Sequence, residues 1–454
     1  MTIAAGIFRQ YDIRGVVGAD LTVEAAEGIG QAYAALLDER GAHGPVAVGR
    51  DNRPSGAALR DALVRGLTTR GRDVIDIGVG PTPLLYWSLH HLPVAGGVQI
   101  TGSHNPPEFN GFKLCVGTGS LHGGGIQRLR ELLDAPPTDH VGAVRFEQLD
   151  AAYADDIIAR TGPLPRRLKV VLDAGNGAGG PLTEQIFSRM NVDATYLFCE
   201  SDGTFPNHHP DPTVEENLVD LIAAVRARGA DIGIAFDGDA DRIGIVDADG
   251  TIIWGDYLLL LYARDVFART GADQAIIFDV KCSQALPDAI AKAGGTPVMW
   301  KTGHSLIKDK MKEMHAPVAG EMSGHMFFTE GFYGHDDALY AAARILRIVA
   351  QSSGSVRDLL SDVPSYFSTP ELRVDCPDDR KFALVEAATE HFRAGHEVIE
   401  VDGARVLYGD GWGLIRASNT QPIVVLRFEA LTPERRDAIR GEFNAWLRAQ
   451  GMTV

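Results

Sequence analysis

Asp237, Asp239 and Asp241 occupy alternate positions in the run Asp237-Gly238-Asp239-Ala240-Asp241-Arg242, directly after the apolar stretch IGIAF. Three carboxylates spaced in this way on a turn can converge on one hard cation, and small residues between them leave room for the bend. All-oxygen ligands favour Mg2+ or Ca2+ over zinc. The run opens like a calcium-binding EF-hand loop but does not continue as one. Arg242 stands where that loop requires glycine, and Ala248 where it requires a bidentate glutamate. A solvated acidic turn is the plainer alternative, and the apolar strand immediately before it argues against that. Three protein ligands leave positions open for a phosphate oxygen, which suits Mg2+.

Ser103 lies in Thr101-Gly102-Ser103-His104-Asn105-Pro106-Pro107, after the strand-like GGVQI and shortly before Lys113. A serine among Gly and Pro is usually turn chemistry. Here Gly102 lets the backbone approach a charged group, and no G-x-S-x-G elbow marks an acyl-transfer nucleophile. A phosphorylated Ser103 would complete the ligands of an Asp-bound metal. Arg416-Ala417-Ser418-Asn419-Thr420-Gln421-Pro422, with Arg427 on the next strand, has the composition of a phosphate clamp, since guanidinium forks match phosphate oxygens. It also reads as an ordinary turn. Glu321, Ser323 and His325 in GEMSGH offer an acceptor and donors for sugar hydroxyls. Lys281, Lys301 and His304, with Tyr11 and Arg14 in YDIRG, add basic anchors.

These motifs must be positioned by strands. VAVGRDNRPSG (46–56), LKVVLDAGNGAGG (168–180) and AIIFDVKCSQAL (275–286) each read as strand, polar turn and helix, followed by a second strand. Such alternation predicts βαβ units and largely parallel sheets. Each copy then continues into a further strand with an unusual polar loop, the TGSHNPP, DGDADR or GEMSGH segment. Ligands bind beyond strand carboxyl ends in open α/β sheets. From about 366 the pattern changes to a small α+β domain with a helix over DRKFALVEAATEHFRA and the strand IVVLRFEA. We therefore expect an α/β chain of four domains, 1–150, 151–252, 253–365 and 366–454. The first three carry repeated βαβ cores.

The 454 residues carry 43 Lys+Arg against 60 Asp+Glu, a net charge of −17, which argues against non-specific nucleic-acid binding. The four cysteines, Cys115, Cys199, Cys282 and Cys376, lack metal or disulfide spacing and suggest free thiols in a reducing compartment. No signal-peptide core and no membrane-spanning apolar run are visible. The expectation is a cytoplasmic protein without membrane partners.

Gly175-Asn176-Gly177-Ala178-Gly179-Gly180 matches the G-x-G-x-x-G dinucleotide fingerprint, with Glu200 downstream. An NAD-dependent dehydrogenase is thus an alternative, although it leaves the Asp, Ser103 and RASNT motifs unexplained. The plainer account is that these glycines close a helix against a strand. A non-catalytic sugar-phosphate sensor is a third alternative.

With YDIRG, TGSHNPPEFNGFK, DAGNGAGG, FPNHHPDPTVEENL, DGDADR, DVKCS, KTGHSLIK, GEMSGH and RASNTQP occurring in this order, the chain resembles the α-D-phosphohexomutases, nearest the bacterial phosphomannomutase/phosphoglucomutase group. The resemblance implies four domains around a central cleft and exchange of phosphate between C1 and C6 of a hexose. That exchange would run through phosphoserine 103 and a hexose 1,6-bisphosphate, which serves as intermediate and activator. It implies Mg2+ on Asp237, Asp239, Asp241 and the Ser103 phosphate, with Arg242 beside the phosphoserine. Glu321 and Ser323 would hold sugar hydroxyls, with His325 nearby, and Arg416, Ser418, Asn419 and Thr420 the non-reacting phosphate. Tyr11, Arg14, His104, Lys113, Lys281 and His304 fall on further cleft positions. His104, Lys113 and His325 remain open as general bases. Met322, where the phosphoglucosamine branch usually has Gln, favours mannose or glucose phosphate over that alternative. Glu215 stands where relatives often have Pro.

Overall fold

The computed structural model describes residues 3–136, 138–419 and 421–453. In the first sheet, strand Val46–Arg50 feeds helix Gly56–Thr69, and strand Val74–Val79 returns parallel to it. Strand Gly96–Ile100 pairs parallel on the other side of Val46–Arg50, and Phe109–Val116 turns back antiparallel to it. The second sheet repeats this scheme with Leu168–Asp173, Val192–Leu197, Ile232–Phe236 and Ile243–Asp247. The third repeats it with Ala275–Asp279, Thr296–Trp300, Val318–Gly320 and Met326–Phe328.

All three copies share the strand order second, first, third, fourth, and only the fourth strand is reversed. The sequence pattern predicts largely parallel sheets, and the reversal is the difference. A parallel return needs a crossover of about a dozen residues. The segments 101–108, 237–242 and 321–325 are too short for one, so the chain must double back. Each of these loops is therefore pinned at both ends, at the carboxyl end of a central strand. The middle strands read as continuous apolar runs because helices cover both faces.

The fourth sheet is antiparallel, with Ala404–Leu407, Gly411–Ala417 and Ile423–Ala430 at its centre. Alternation divides its side chains. Ile415, Ala417, Val424, Leu426 and Phe428 meet Phe392 of helix Lys381–Arg393 and Phe443 of helix Pro433–Ala449 in a core of their own. Trp412, Leu414, Arg416, Arg427 and Glu429 occupy the opposite face, and a small cluster of Val280, Trp412 and Leu414 joins that face to the third sheet. Arg405, fully buried over the Trp412 ring, donates to the carbonyls of Val280 and Cys282, each at 2.7 Å. The first three sheets are bound more extensively, by one apolar cluster that includes Trp87, Tyr153, Phe187, Phe236 and Phe278.

Candidate active site

Ser103 adopts a positive φ of 50°, a conformation that costs a non-glycine residue about 1–2 kcal/mol. Arg53 offsets this cost. Its buried guanidinium donates to the carbonyls of Ser103 (2.7 Å), Phe109 (3.0 Å), Asn105 and Pro106, and so gathers the whole loop. Asp51 accepts from Arg53 Nε at 3.2 Å and from the Gly102 N–H at 3.0 Å. A side chain at Gly102 would collide with that guanidinium. Asp51 and Arg53 escape a motif reading, although the polar exit RDNR from a buried strand was the available signal.

The Asp loop packs directly on the serine. Ser103 Oγ donates to Asp237 Oδ2 at 3.1 Å and lies 3.0 Å from His104 Nδ1. A Cβ on Gly238 would come within 2.5 Å of the Ser103 carbonyl, so this approach requires glycine. Asp237 Oδ1 accepts the N–H groups of Asp241 and Arg242, both at 3.0 Å. Asp239 Oδ2 accepts from Thr82, from Thr101 at 3.1 Å and from Lys113 Nζ at 2.8 Å; Lys113 also donates to Asp241.

All three aspartates are buried and bring carboxylate oxygens within 4.8 Å of one another. Asp239 Oδ1 and Asp241 Oδ1 have no hydrogen-bond partner. Burial, Asp241 and Asp239 together push the Asp237 carboxyl well above its usual range. Burial also acts to raise Asp239, but the Lys113 ammonium and the threonine hydroxyls outweigh it and hold that carboxyl low. Unpartnered hard oxygens under mutual repulsion are the donor set a divalent cation relieves. The residues fit a metal.

The third loop joins from the other side. Arg242 Nε donates to His325 Nε2 at 2.9 Å, and the two backbones form an isolated bridge. Glu321 Oε1 accepts the Gly303 N–H, with Ser323 Oγ 3.5 Å from Glu321. His304 stacks on His325, ring centres 5.7 Å apart. From the fourth sheet, Asn419, just past strand Gly411–Ala417, reaches the Tyr11 hydroxyl, which itself donates to the Thr302 carbonyl at 2.7 Å. Arg416, buried, is braced by Asp402 at 2.9 Å, and Ser418 is buried beside it. Arg14 pairs with Asp12 and reaches Asn105. Thr420 lies outside the described residues. Lys301 is exposed. Arg427, on the same sheet face as Arg416, donates to the Lys281 carbonyl and touches Met322.

Lys281 bonds Glu371 at 3.2 Å, clasping the third sheet's first loop to the segment entering the fourth. Lys281 lowers the Glu371 carboxyl from 4.5 to about 2, against burial. A depressed acid stabilises the fold fully above the ordinary value and loses that contribution as pH falls through the lowered one. Wild-type Tm should therefore drop more steeply than that of Glu371→Gln between about pH 4.5 and pH 2. Parallel melting curves would remove the clasp from the account.

The Gly175–Gly180 turn packs on the Asp loop. A Cβ at Gly177 would lie 2.8 Å from the Gly238 carbonyl, and one at Gly180 would strike the Cys199 carbonyl. These glycines serve close packing, in line with the plainer account that they close a helix against a strand.

Three pinned loops bring a serine, an acidic triad and a buried histidine together in a multidomain α/β fold, and a hairpin of the fourth sheet reaches the same region. The family models for phosphoglucomutase/phosphomannomutase alpha/beta/alpha domains I, II and III and the C-terminal domain match residues 5–127, 151–250, 254–367 and 371–445. The phosphomannomutase/phosphoglucomutase of Pseudomonas aeruginosa is 48% identical, over 99% of this chain and 96% of that protein. The phosphoglucomutase of Neisseria gonorrhoeae is 45% identical over 98% of this chain and 97% of its own length. The crystal structure of a phosphoglucomutase/phosphomannomutase family protein from Burkholderia thailandensis superposes with a TM-score of 0.91 at 42% identity, covering 99% of this chain and 98% of that one. The chain belongs to the phosphoglucomutase/phosphomannomutase family.

Proposed function

We propose that this protein interconverts hexose 1-phosphates and hexose 6-phosphates, of mannose and glucose, through phosphoserine 103 and a bound hexose 1,6-bisphosphate. The observation that carries the reading is the contact of Ser103 Oγ with Asp237, in a sealed cluster with Lys113 and the two unpartnered carboxylate oxygens. Asp237, Asp239 and Asp241 would hold Mg2+, which supplies charge neutralisation for a transferring phosphoryl group.

The chain's own groups divide the remaining work. Lys113, kept protonated by Asp239 and Asp241 against the effect of burial, has no lone pair to act as a base. Arg242 and Lys113 counter phosphate charge. The sugar hydroxyl gives its proton to His325 as its oxygen bonds phosphorus and the Ser103 Oγ–P bond breaks. Ser103 Oγ regains a proton relayed through His104, at 3.0 Å. After the bisphosphate turns around, the steps run in reverse on its other phosphate. Glu321 and Ser323 would grip hydroxyls near the sugar's middle in both poses, and Arg416, Ser418, Asn419 and Thr420 the phosphate at rest.

Because the C2 group changes sides on turning, mannose and glucose should differ by only about 1 kcal/mol, a few-fold in rate. An ammonium at C2 brings charge into a site already crowded with cations. We expect glucosamine 1-phosphate to fall at least about tenfold behind in kcat/KM. Measuring all three 1-phosphates in one coupled assay tests this, and a tenfold win for glucosamine 1-phosphate would overturn the substrate assignment. The four cysteines are buried free thiols, and no described helix is long and apolar enough to cross a membrane. Free thiols suit a reducing compartment, so we place this activity in the cytoplasm.

A further inference from the structure

We infer that Asp336 is the positioning residue for His325, deciding which ring nitrogen is offered to the sugar hydroxyl. The inference rests on the mutase reading for the identity of that hydroxyl. Asp336 follows the strand Met326–Phe328, pairs by an isolated bridge with Phe327, and is fully buried. No motif in the sequence marks it.

Its two oxygens have different duties. Lys308 Nζ donates to Oδ1 at 2.9 Å. Oδ2 lies 3.2 Å from His325 Nδ1 and 3.5 Å from His304 Nδ1, and it has no hydrogen bond. His325 Nδ1 is likewise unpartnered, with Asp241 Oδ1 3.7 Å away. A hydrogen bond between Nδ1 and Asp336 Oδ2 therefore displaces no existing partner of either atom.

The far side of the ring settles the tautomer. Arg242 Nε donates to His325 Nε2 at 2.9 Å, and a guanidinium cannot accept. Nε2 must present its lone pair, so the proton of the neutral ring sits on Nδ1, facing the carboxylate. A hydrogen bond on one imidazole nitrogen fixes the chemistry of the other. When phosphate oxygens draw Arg242 away, Nε2 is left uncapped as an acceptor. The hydroxyl proton passes to Nε2 as the new O–P bond forms and the Ser103 Oγ–P bond breaks. Asp336 then faces the Nδ1–H of an imidazolium, and in the return half-reaction Nε2 gives the proton back to the sugar oxygen.

The test uses full-length, phosphorylated, Mg2+-loaded protein with glucose 1-phosphate. Asp336→Asn keeps the shape but stabilises the wrong tautomer, and should lower kcat roughly 10²–10⁴-fold with KM within about threefold. Asp336→Glu, which keeps a carboxylate, should recover at least about tenfold of that loss. Nitrogen NMR of histidine-labelled protein, with His325 assigned through His325→Gln, should show protonated Nδ1 in the wild type and protonated Nε2 in Asp336→Asn. A kcat within about threefold of wild type in Asp336→Asn would overturn the inference, as would an unchanged tautomer. Should Asp336→Asn fail to fold, a wild-type His325 protonated on Nε2 still overturns it. A wild type that binds but never interconverts glucose phosphates would sink the mutase reading instead, and the tautomer measurement would decide the positioning claim separately.

Discussion

Ser103→Ala is expected to lower kcat roughly 10⁴–10⁶-fold, the size seen when a group that forms the covalent intermediate is removed. Its hydroxyl is the only part of the residue the chemistry requires. The loop geometry comes from Arg53, which holds the backbone carbonyls of residues 103, 105, 106 and 109, so alanine should keep the fold. The hydrogen bond lost to Asp237 is worth about 1 kcal/mol, and Tm should move by only a few degrees. Intact mass measurement should show a phosphate adduct on the wild type and none on the variant. A variant that keeps its phosphate, or more than about 1% of wild-type turnover, removes Ser103 from the mechanism.

Asp241→Asn separates activity from stability. Turnover should fall roughly 10²–10³-fold at saturating Mg2+, the cost of removing one preorganised charge from a transition state. Without metal, the same substitution removes one of the two buried like charges, Asp241 and Asp239, that add to burial in pushing the Asp237 carboxyl up, and Lys113 keeps Asp239 as its partner at 2.8 Å. The metal-free variant should therefore melt no lower than metal-free wild type. Added Mg2+ should raise wild-type Tm, by mass action on the folded state, and leave the variant's nearly unchanged. Melting curves with and without Mg2+ read both effects. Full turnover by chelator-treated wild type would defeat the metal assignment outright.

The residues for which chemistry dictates an unusual local pattern were legible before any fold was known. Asp237, Asp239 and Asp241 at alternate positions, Ser103 among Gly and Pro, and Arg416 with Ser418 and Asn419 announce themselves because charge at a strand end is costly unless used. The threefold strand–helix–strand grammar was equally visible, since burial on both faces forces continuous apolar runs. Helix Gly255–Thr270 is harder to read, because its first three turns are buried on nearly every side and only its last turn carries exposed polar residues to set a period.

What tertiary structure alone decided is which distant side chains share a volume. Arg53 reads as one charge in a polar turn until folding places its guanidinium beneath the Ser103 loop. Lys113 stands on a strand and becomes the counter-ion of carboxylates 126 and 128 residues away. Arg427 reads from its type as a phosphate ligand, and only the packing of the fourth sheet on the third shows its bond to the Lys281 carbonyl. Asp336 and His325 meet only because a short hairpin folds back across the third sheet. Local spacing records what a loop can bind, because neighbouring residues share one backbone. Which buried charge answers which depends on contacts between strands far apart in the chain, and no local period encodes them.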